Sequence, residues 1–220
     1  MPATSDLTVA VQDYLKAIYA LESAGERVTT SALAARMGVA APSATAMTKR
    51  LAELGLVERA PYRGVVLTEA GRRGALEVLR HHRLLERYLA DRLGLSLDEV
   101  HAEADRLEHA LSEELEAKID AELGYPTHDP HGDPIPDRDL RLAPGRNRTL
   151  IDLEPGEHAS VSRVPDGDPA LLRYLGELGL VPGADVELLG QAPFGGPVTV
   201  RTESGEHAIS RELADRISAA

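Results

Sequence analysis

Residues 101–110 read HAEADRLEHA, which places two histidines, three carboxylates and one arginine within ten positions. Imidazole and carboxylate side chains together bind divalent metals without help from sulphur. On a helical wheel with His101 at 0°, Asp105 falls near 40°, Glu108 near −20° and His109 near 80°, an arc of about 100°. Val100, Ala104, Leu107 and Leu111 form the adjoining apolar stripe, so the polar cluster borders a buried face. Glu103 and Arg106 point well away from it. The preceding pattern HHRLLERYL repeats the theme, with His82 and Glu86 four residues apart. Two readings fit. A charge run of this kind is ordinarily a solvated helical flank. Two helices that each bring histidine and carboxylate to one face can instead supply a divalent ion with ligands from more than one element. The residues alone leave both open.

These side chains need elements to carry them. Residues 69–93 read as one long helix and 97–123 as another, with Gly94 and Gly124 as stop signals. Ahead of them, 7–23 has apolar residues near helical spacing. Thr30 can cap a short helix that stops at Gly38. The segment from Pro42 to Gly55 buries Ala44, Met47, Leu51 and Leu54, and turns Ser43, Thr45, Lys49 and Arg50 outward. Two β-rich pieces, 56–59 and 65–68, flank APYRG and read as a hairpin. Helix, short helix, turn, helix, hairpin is a winged helix-turn-helix. Ser43, Thr45, Lys49 and Arg50 are its candidates for facing a DNA major groove, with Tyr62 and Arg63 in the wing near phosphates.

After Gly124 a proline-rich stretch with few apolar side chains reads as a linker, or as an extended segment laid on its neighbours. From about residue 149, strand-like pieces separated by Gly/Pro turns, with one short helix from Pro169 inside, read as a small SH3-like β-barrel. APFGGP at 192–197 reads as a tight turn, not a phosphate loop. His81 lies about 100° from His82 on the wheel and reads as solvated. His128 and His131 read as loop or packing residues, and His158 and His207 as surface residues. The fold class is therefore mainly α with small β parts.

Composition narrows the function. The 220 residues are 43% hydrophobic but only 3% aromatic, so Leu, Val, Ile and Ala must build the core. The absence of cysteine excludes a disulfide scaffold, a zinc ribbon and a thiol nucleophile, and fits a reducing cytoplasm. No apolar run approaches the roughly 20 residues that span a bilayer, and the N-terminus lacks the basic-then-apolar pattern of a signal peptide. A cytoplasmic protein with no membrane partner is expected. The net charge of −12 argues against nucleic acid, but its distribution does not. Residues 1–68 carry seven Lys/Arg against six Asp/Glu, while 69–125 carry eight against fourteen. The first part can approach a polyanion, and the acidic middle attracts cations.

The motifs QDYLKAIYALE, HHRLLERYL, DEVHAEADRLEHALS and DPHGDPIP, in this order, resemble those of the diphtheria toxin repressor family, most closely its actinobacterial manganese-dependent regulators. The resemblance covers essentially the whole chain. It implies a homodimeric transcriptional repressor, not an enzyme, with a winged helix-turn-helix DNA-binding domain at 1–72. A helical metal-binding and dimerisation domain with the Pro-rich linker follows at 73–145, and the SH3-like domain at 146–220. It also implies one metal site from Asp13, Asp105, Glu108 and His109, and an ancillary site from His82, Glu86 and His101. Asp166 and Asp168 are candidate further ligands to the ancillary site. Iron-type members carry Met and Cys where this chain has Asp13 and Asp105. Hard oxygen donors suit Mn²⁺, so the implied cofactor is Mn²⁺, with Fe²⁺ as the alternative and Co²⁺, Ni²⁺, Cd²⁺ or Zn²⁺ as substitutes in vitro. Some manganese members have Glu at the position of Lys16; their two-metal cluster is not expected here. The implied partner is palindromic operator DNA at manganese homeostasis genes. Less favoured readings are a metallohydrolase and a winged-helix regulator of an organic ligand.

Overall fold

The structure is a computed structural model that describes residues 7–60, 64–143 and 148–220. Tyr62 and Arg63 lie outside these residues. The chain divides into two compact units. The first holds the chain up to His82 with Leu107–Ala117 and Pro136–Arg141; the second holds Arg83–Arg106, Lys118–Ile135 and the chain from Leu142 onward.

In the first unit, α1 (Val9–Ser23), α2 (Thr30–Met37) and α3 (Ala41–Glu53) precede an antiparallel hairpin of β1 (Val57–Ala60) and β2 (Gly64–Leu67). Thr29, one residue earlier than the sequence suggests, caps α2 by accepting from Ala32 N at 3.0 Å, and Gly38 ends it in the left-handed region. Val11, Leu15 and Ile18 of α1 pack with Leu33, Leu51 and Val65 in one buried cluster. This is the winged helix-turn-helix. α4 (Glu69–Leu93) follows, over the residues expected and ending before the Gly94 stop signal; its residues through His82 belong to the first unit and the rest to the second.

The expected single helix over 97–123 is instead broken. α5 (Leu97–Leu107) passes into a 3-10 turn at Glu108–Ala110, and α6 (Glu113–Glu122) begins anew. Leu111 is extended at φ −73°, ψ 119°, and Ser112 starts the next helix, its Oγ accepting from Leu115 N at 3.3 Å. Three glutamates in the first turn of α6 favour that new N-terminus. Glu108 and His109 therefore sit on a turn, and the wheel position computed for His109 does not apply.

In the second unit, β3 (Arg148–Thr149), β4 (His158–Arg163), β5 (Asp185–Gln191), β6 (Val198–Thr202), β7 (Gly205–Ile209) and β8 (Ser218–Ala219) form a sheet in the order β3-β8-β4-β5-β6-β7. α7 (Pro169–Glu177) and α8 (Arg211–Arg216) complete this SH3-like domain. Its core is aliphatic, with Leu150, Leu175, Leu188 and Ile217 fully buried. Within the proline-rich stretch, residues 129–136 are mostly buried against their neighbours rather than solvated. Asp129 Oδ1 accepts from His131 N and Asp133 N at 2.9 Å each, closing a tight turn. Val164 N donates to His131 O at 2.9 Å, and Arg163 Nε to Asp133 Oδ1 at 2.9 Å. Gly132 has φ 92°, and a Cβ there would overlap the Ser162 carbonyl oxygen. Gly132→Ala is accordingly expected to lower stability by about 1–3 kcal/mol, read as a reduced calorimetric midpoint; an unchanged midpoint contradicts this account of the turn.

Candidate metal centre

α1 buries Val11, Tyr14, Leu15 and Ile18 and leaves Asp13 and Lys16 on a half-buried flank. Against that flank stands the 3-10 turn. His109 Nε2 lies 2.9 Å from Asp13 Oδ1 and 3.4 Å from Glu108 Oε1. One potential ligand atom from each of Asp13, Glu108 and His109 falls within 4.8 Å of the others. Glu108 is 1% exposed. Its Oε2 lies 2.6 Å from His82 Nδ1, and Lys16 Nζ donates to both of its oxygens.

A bracket from α4 and α6 fixes this turn. His81 reaches Glu108 O at 3.2 Å through Nδ1 and Glu116 Oε2 at 3.0 Å through Nε2. Arg80 donates to Glu116 at 2.7 Å and to Pro136 O at 2.7 Å. His81, expected to be solvated, is 8% exposed. Burial alone would lower its pKa, but the Glu116 hydrogen bond and charge, with the Glu108 carbonyl, raise it. Burial likewise pushes Glu116 up, and His81 and Arg80 overcome that and hold it down. The wheel identified the face of His81 but not the helix that covers it.

Gln12 was not singled out by the sequence. Its Oε1 lies 2.6 Å from His109 Nδ1. A carbonyl oxygen only accepts, so Nδ1 donates to it, and Nε2 is the nitrogen that faces the carboxylates. The available signal was a polar side chain among the apolar positions Val11, Tyr14 and Leu15.

The second unit holds another centre. Glu86 is fully buried; His101 Nδ1 lies 3.0 Å from its Oε1 and His131 Nδ1 3.8 Å from its Oε2. Glu86, Asp129 and His131 bring ligand atoms within 4.8 Å of one another. His131, read from sequence as a loop or packing residue, has no exposure, and its Nε2 donates to Leu97 O at 2.9 Å. Its Nδ1 and Asp129 Oδ2 are buried without hydrogen-bond partners; the charges nearest them are Glu86 at 3.8 Å and Arg83 at 3.6 Å, which leaves both atoms with hydrogen-bonding capacity for a ligand. Burial lowers the His131 pKa, yet the Glu86 carboxylate outweighs this and holds it at about 9. Burial, then the charges of Glu86 and Asp133, push Asp129 up to about 7. The donors in both centres are oxygen and imidazole nitrogen, a set that fits a divalent cation.

The other sequence-derived residues fall as follows. Asp105 is exposed on α5, with Oδ2 3.6 Å from His101 Nε2. Asp168 is the N-cap of α7 and accepts from Ala170 N at 2.8 Å; among the described residues neither it nor Asp166 stands in a group of potential ligands. Ser43, Thr45, Lys49 and Arg50 are all exposed on α3.

Known proteins carry the same plan. The description "Iron dependent repressor, N-terminal DNA binding domain" matches residues 6–65. "Iron dependent repressor, metal binding and dimerisation domain" matches 68–137, and "FeoA domain" matches 148–220. The iron-dependent repressor IdeR of Mycobacterium tuberculosis is 35% identical over 226 residues, covering 97% of this chain and 97% of its own. The diphtheria toxin repressor of Corynebacterium efficiens is 33% identical over 196 residues, covering 84% and 85%. A solved structure described as a manganese-dependent transcriptional repressor in complex with manganese aligns with TM-score 0.85 and 40% identity, over 96% of this chain and 99% of that one. Winged helix, oxygen–imidazole centres and these matches together define a metal-dependent transcriptional repressor. The chain belongs to the iron-dependent repressor family, that of the diphtheria toxin repressor. No helix among the described residues is long and apolar enough to cross a membrane.

The Gln12 contact yields a direct test. Gln12→Leu is expected to weaken divalent-metal binding by about 10–100-fold while the circular dichroism spectrum stays unchanged. Calorimetric titration with Mn²⁺ that gives wild-type affinity excludes an orienting role.

Proposed function

We propose that this chain is a Mn²⁺-activated homodimeric repressor that binds palindromic operator DNA and controls manganese homeostasis genes. The observation that carries the reading is the convergence of Asp13, Glu108 and His109, two carboxylates and one imidazole with no sulphur. Hard oxygen donors accept Mn²⁺ readily, whereas sulphur favours softer ions. Asp13, Glu108 and His109 would hold the ion, and a divalent charge there offsets the carboxylates that face one another. Glu86, Asp129, His131 and His101 are proposed as ligands of a second ion.

Each part then has a task. Gln12 aims His109, and the Arg80–His81–Glu116 bracket holds the turn that bears Glu108. Asp13 sits on α1, which packs in the core of the winged helix and so ties metal binding to the DNA-reading part. Ser43, Thr45, Lys49 and Arg50 of α3 face the major groove. Two such helices in a dimer read half-sites about 34–36 Å apart. Reciprocity of coupling requires DNA to tighten metal binding by the factor that metal tightens DNA binding.

Operator affinity is expected to rise about 5–150-fold with Mn²⁺, and His109→Ala is expected to remove that rise. Fluorescence anisotropy on an operator fragment measures both, and DNA affinity indifferent to Mn²⁺ rejects the proposal. An Fe²⁺-responsive repressor is the second reading, favoured by the iron-dependent repressor names of relatives at 35% identity. Mn²⁺ and Fe²⁺ titrated anaerobically separate the two: activation by Fe²⁺ at an equal or lower free concentration rejects manganese selectivity.

A further inference from the structure

Lys16 follows Asp13 by three residues on α1, about 4.5 Å further along the axis. Its Nζ lies 2.7 Å from Oε1 and 2.8 Å from Oε2 of Glu108. Both oxygens of a carboxylate with 1% exposure are thus held by one ammonium. An ammonium is a compact point charge with three donors and no acceptor. It engages the carboxylate that the functional reading assigns to the metal. The Lys16 side chain itself is 24% exposed, so its flexible stem has an edge of solvent to move into.

A cation on Glu108 and an ammonium on the same two oxygens repel each other across a short distance in a poorly screened site. The two cannot share Glu108 on equal terms. We propose that Lys16 is a tethered competitor for the metal at Glu108 and sets the free metal concentration at which this centre fills. The inference rests on the metal-dependent reading above. When metal is scarce, Lys16 neutralises the buried carboxylate and links α1 to the 3-10 turn. Filling the centre would replace the Lys16 ammonium on Glu108 with the ion, while Asp13, one helical turn earlier on α1, already reaches His109 on the same turn. The metal-free protein is then held in order, and the switch is an exchange of cations on one carboxylate.

A lysine with only a structural role makes the opposite forecast, since losing it would loosen the centre and weaken metal binding. Full-length metal-free protein is titrated with Mn²⁺, free Mn²⁺ being counted by electron paramagnetic resonance. The binding class lost in His109→Ala identifies this centre. Lys16→Met keeps an apolar stem and removes the charge, Lys16→Gln is a second neutral variant, and Lys16→Arg retains the charge. Both neutral variants are expected to bind Mn²⁺ at least about tenfold more tightly than wild type in that class, a shift equivalent to about 1.4 kcal/mol. They are also expected to show a lower metal-free melting temperature. Lys16→Arg is expected to gain no affinity. Neutral variants that bind as wild type does, or more weakly, overturn the inference and leave the functional reading standing. If neither wild type nor the neutral variants show a class sensitive to His109→Ala, the functional reading fails and the inference falls with it.

Discussion

A buried carboxylate is the constraint on which the first unit is organised. Glu108 has almost no access to water, and an ionised group in that position is tolerated only when other groups satisfy it. Four side chains from two helices converge on it or its neighbour: Lys16, Gln12 and Asp13 from α1, and His82 from α4. The 3-10 turn follows from the same requirement. A helix continued through 108–112 would keep Glu108 and His109 on a regular wheel. The break at Leu111 and the fresh start at Ser112 let Glu108 point to Lys16 and His82 while His109 turns to Gln12 and Asp13.

The second unit repeats this logic with a different balance. Glu86 is as buried as Glu108, but its surroundings are histidines and further carboxylates rather than a lysine placed on both oxygens. The charges are compensated by Arg83 beside Asp129 and Asp133, and by a raised His131 and a raised Asp129, so protons take part of the role that Lys16 has in the first unit. The turn that carries Asp129 and His131 is held by the SH3-like domain through Val164 N and the Arg163–Asp133 ion pair. Arg173 of α7 adds a contact to Asp98 at the start of α5. The C-terminal domain thus supports the loop that bears Asp129 and His131 directly, while Asp168 caps its own helix.

What could be read in the sequence divides along a physical line. Periodicity located α1 and α3, which bury one face against a continuous aliphatic core, while turn and stop signals located the hairpin and the end of α4. The oxygen and imidazole groups at Glu108, His109, Glu86 and His101 were visible as polar residues beside an apolar stripe. The break after Leu107 was not, since LEHALS continues an acceptable helical pattern, and only Ser112 before three glutamates hints at a new cap. His131 was missed for a related reason. A composition argument counts apolar side chains, whereas this loop is buried by hydrogen bonds to Asp129 Oδ1 and by a glycine that lets it approach β4. His81 shows the limit of a wheel, which knows one helix and nothing of α6. Asp13 entered only through family resemblance, because nothing local to α1 marks it as different from any half-exposed aspartate.

Metal choice and metal sensitivity are separate properties of such a site. Oxygen and nitrogen donors of this kind bind later divalent ions at least as tightly as Mn²⁺, so raw affinity alone does not select manganese. A tethered ammonium on Glu108 opposes every divalent ion by nearly the same electrostatic amount. It therefore moves the threshold for all of them together and leaves their order unchanged. Discrimination must come from features that depend on the ion: the number of donors that reach it and how rigidly they are held. Gln12 behind His109, and the Arg80–His81–Glu116 bracket behind Glu108, are what stiffen the donors here. Sensitivity then resides in Lys16 and selectivity in the supports of its neighbours, so each could change in evolution without the other.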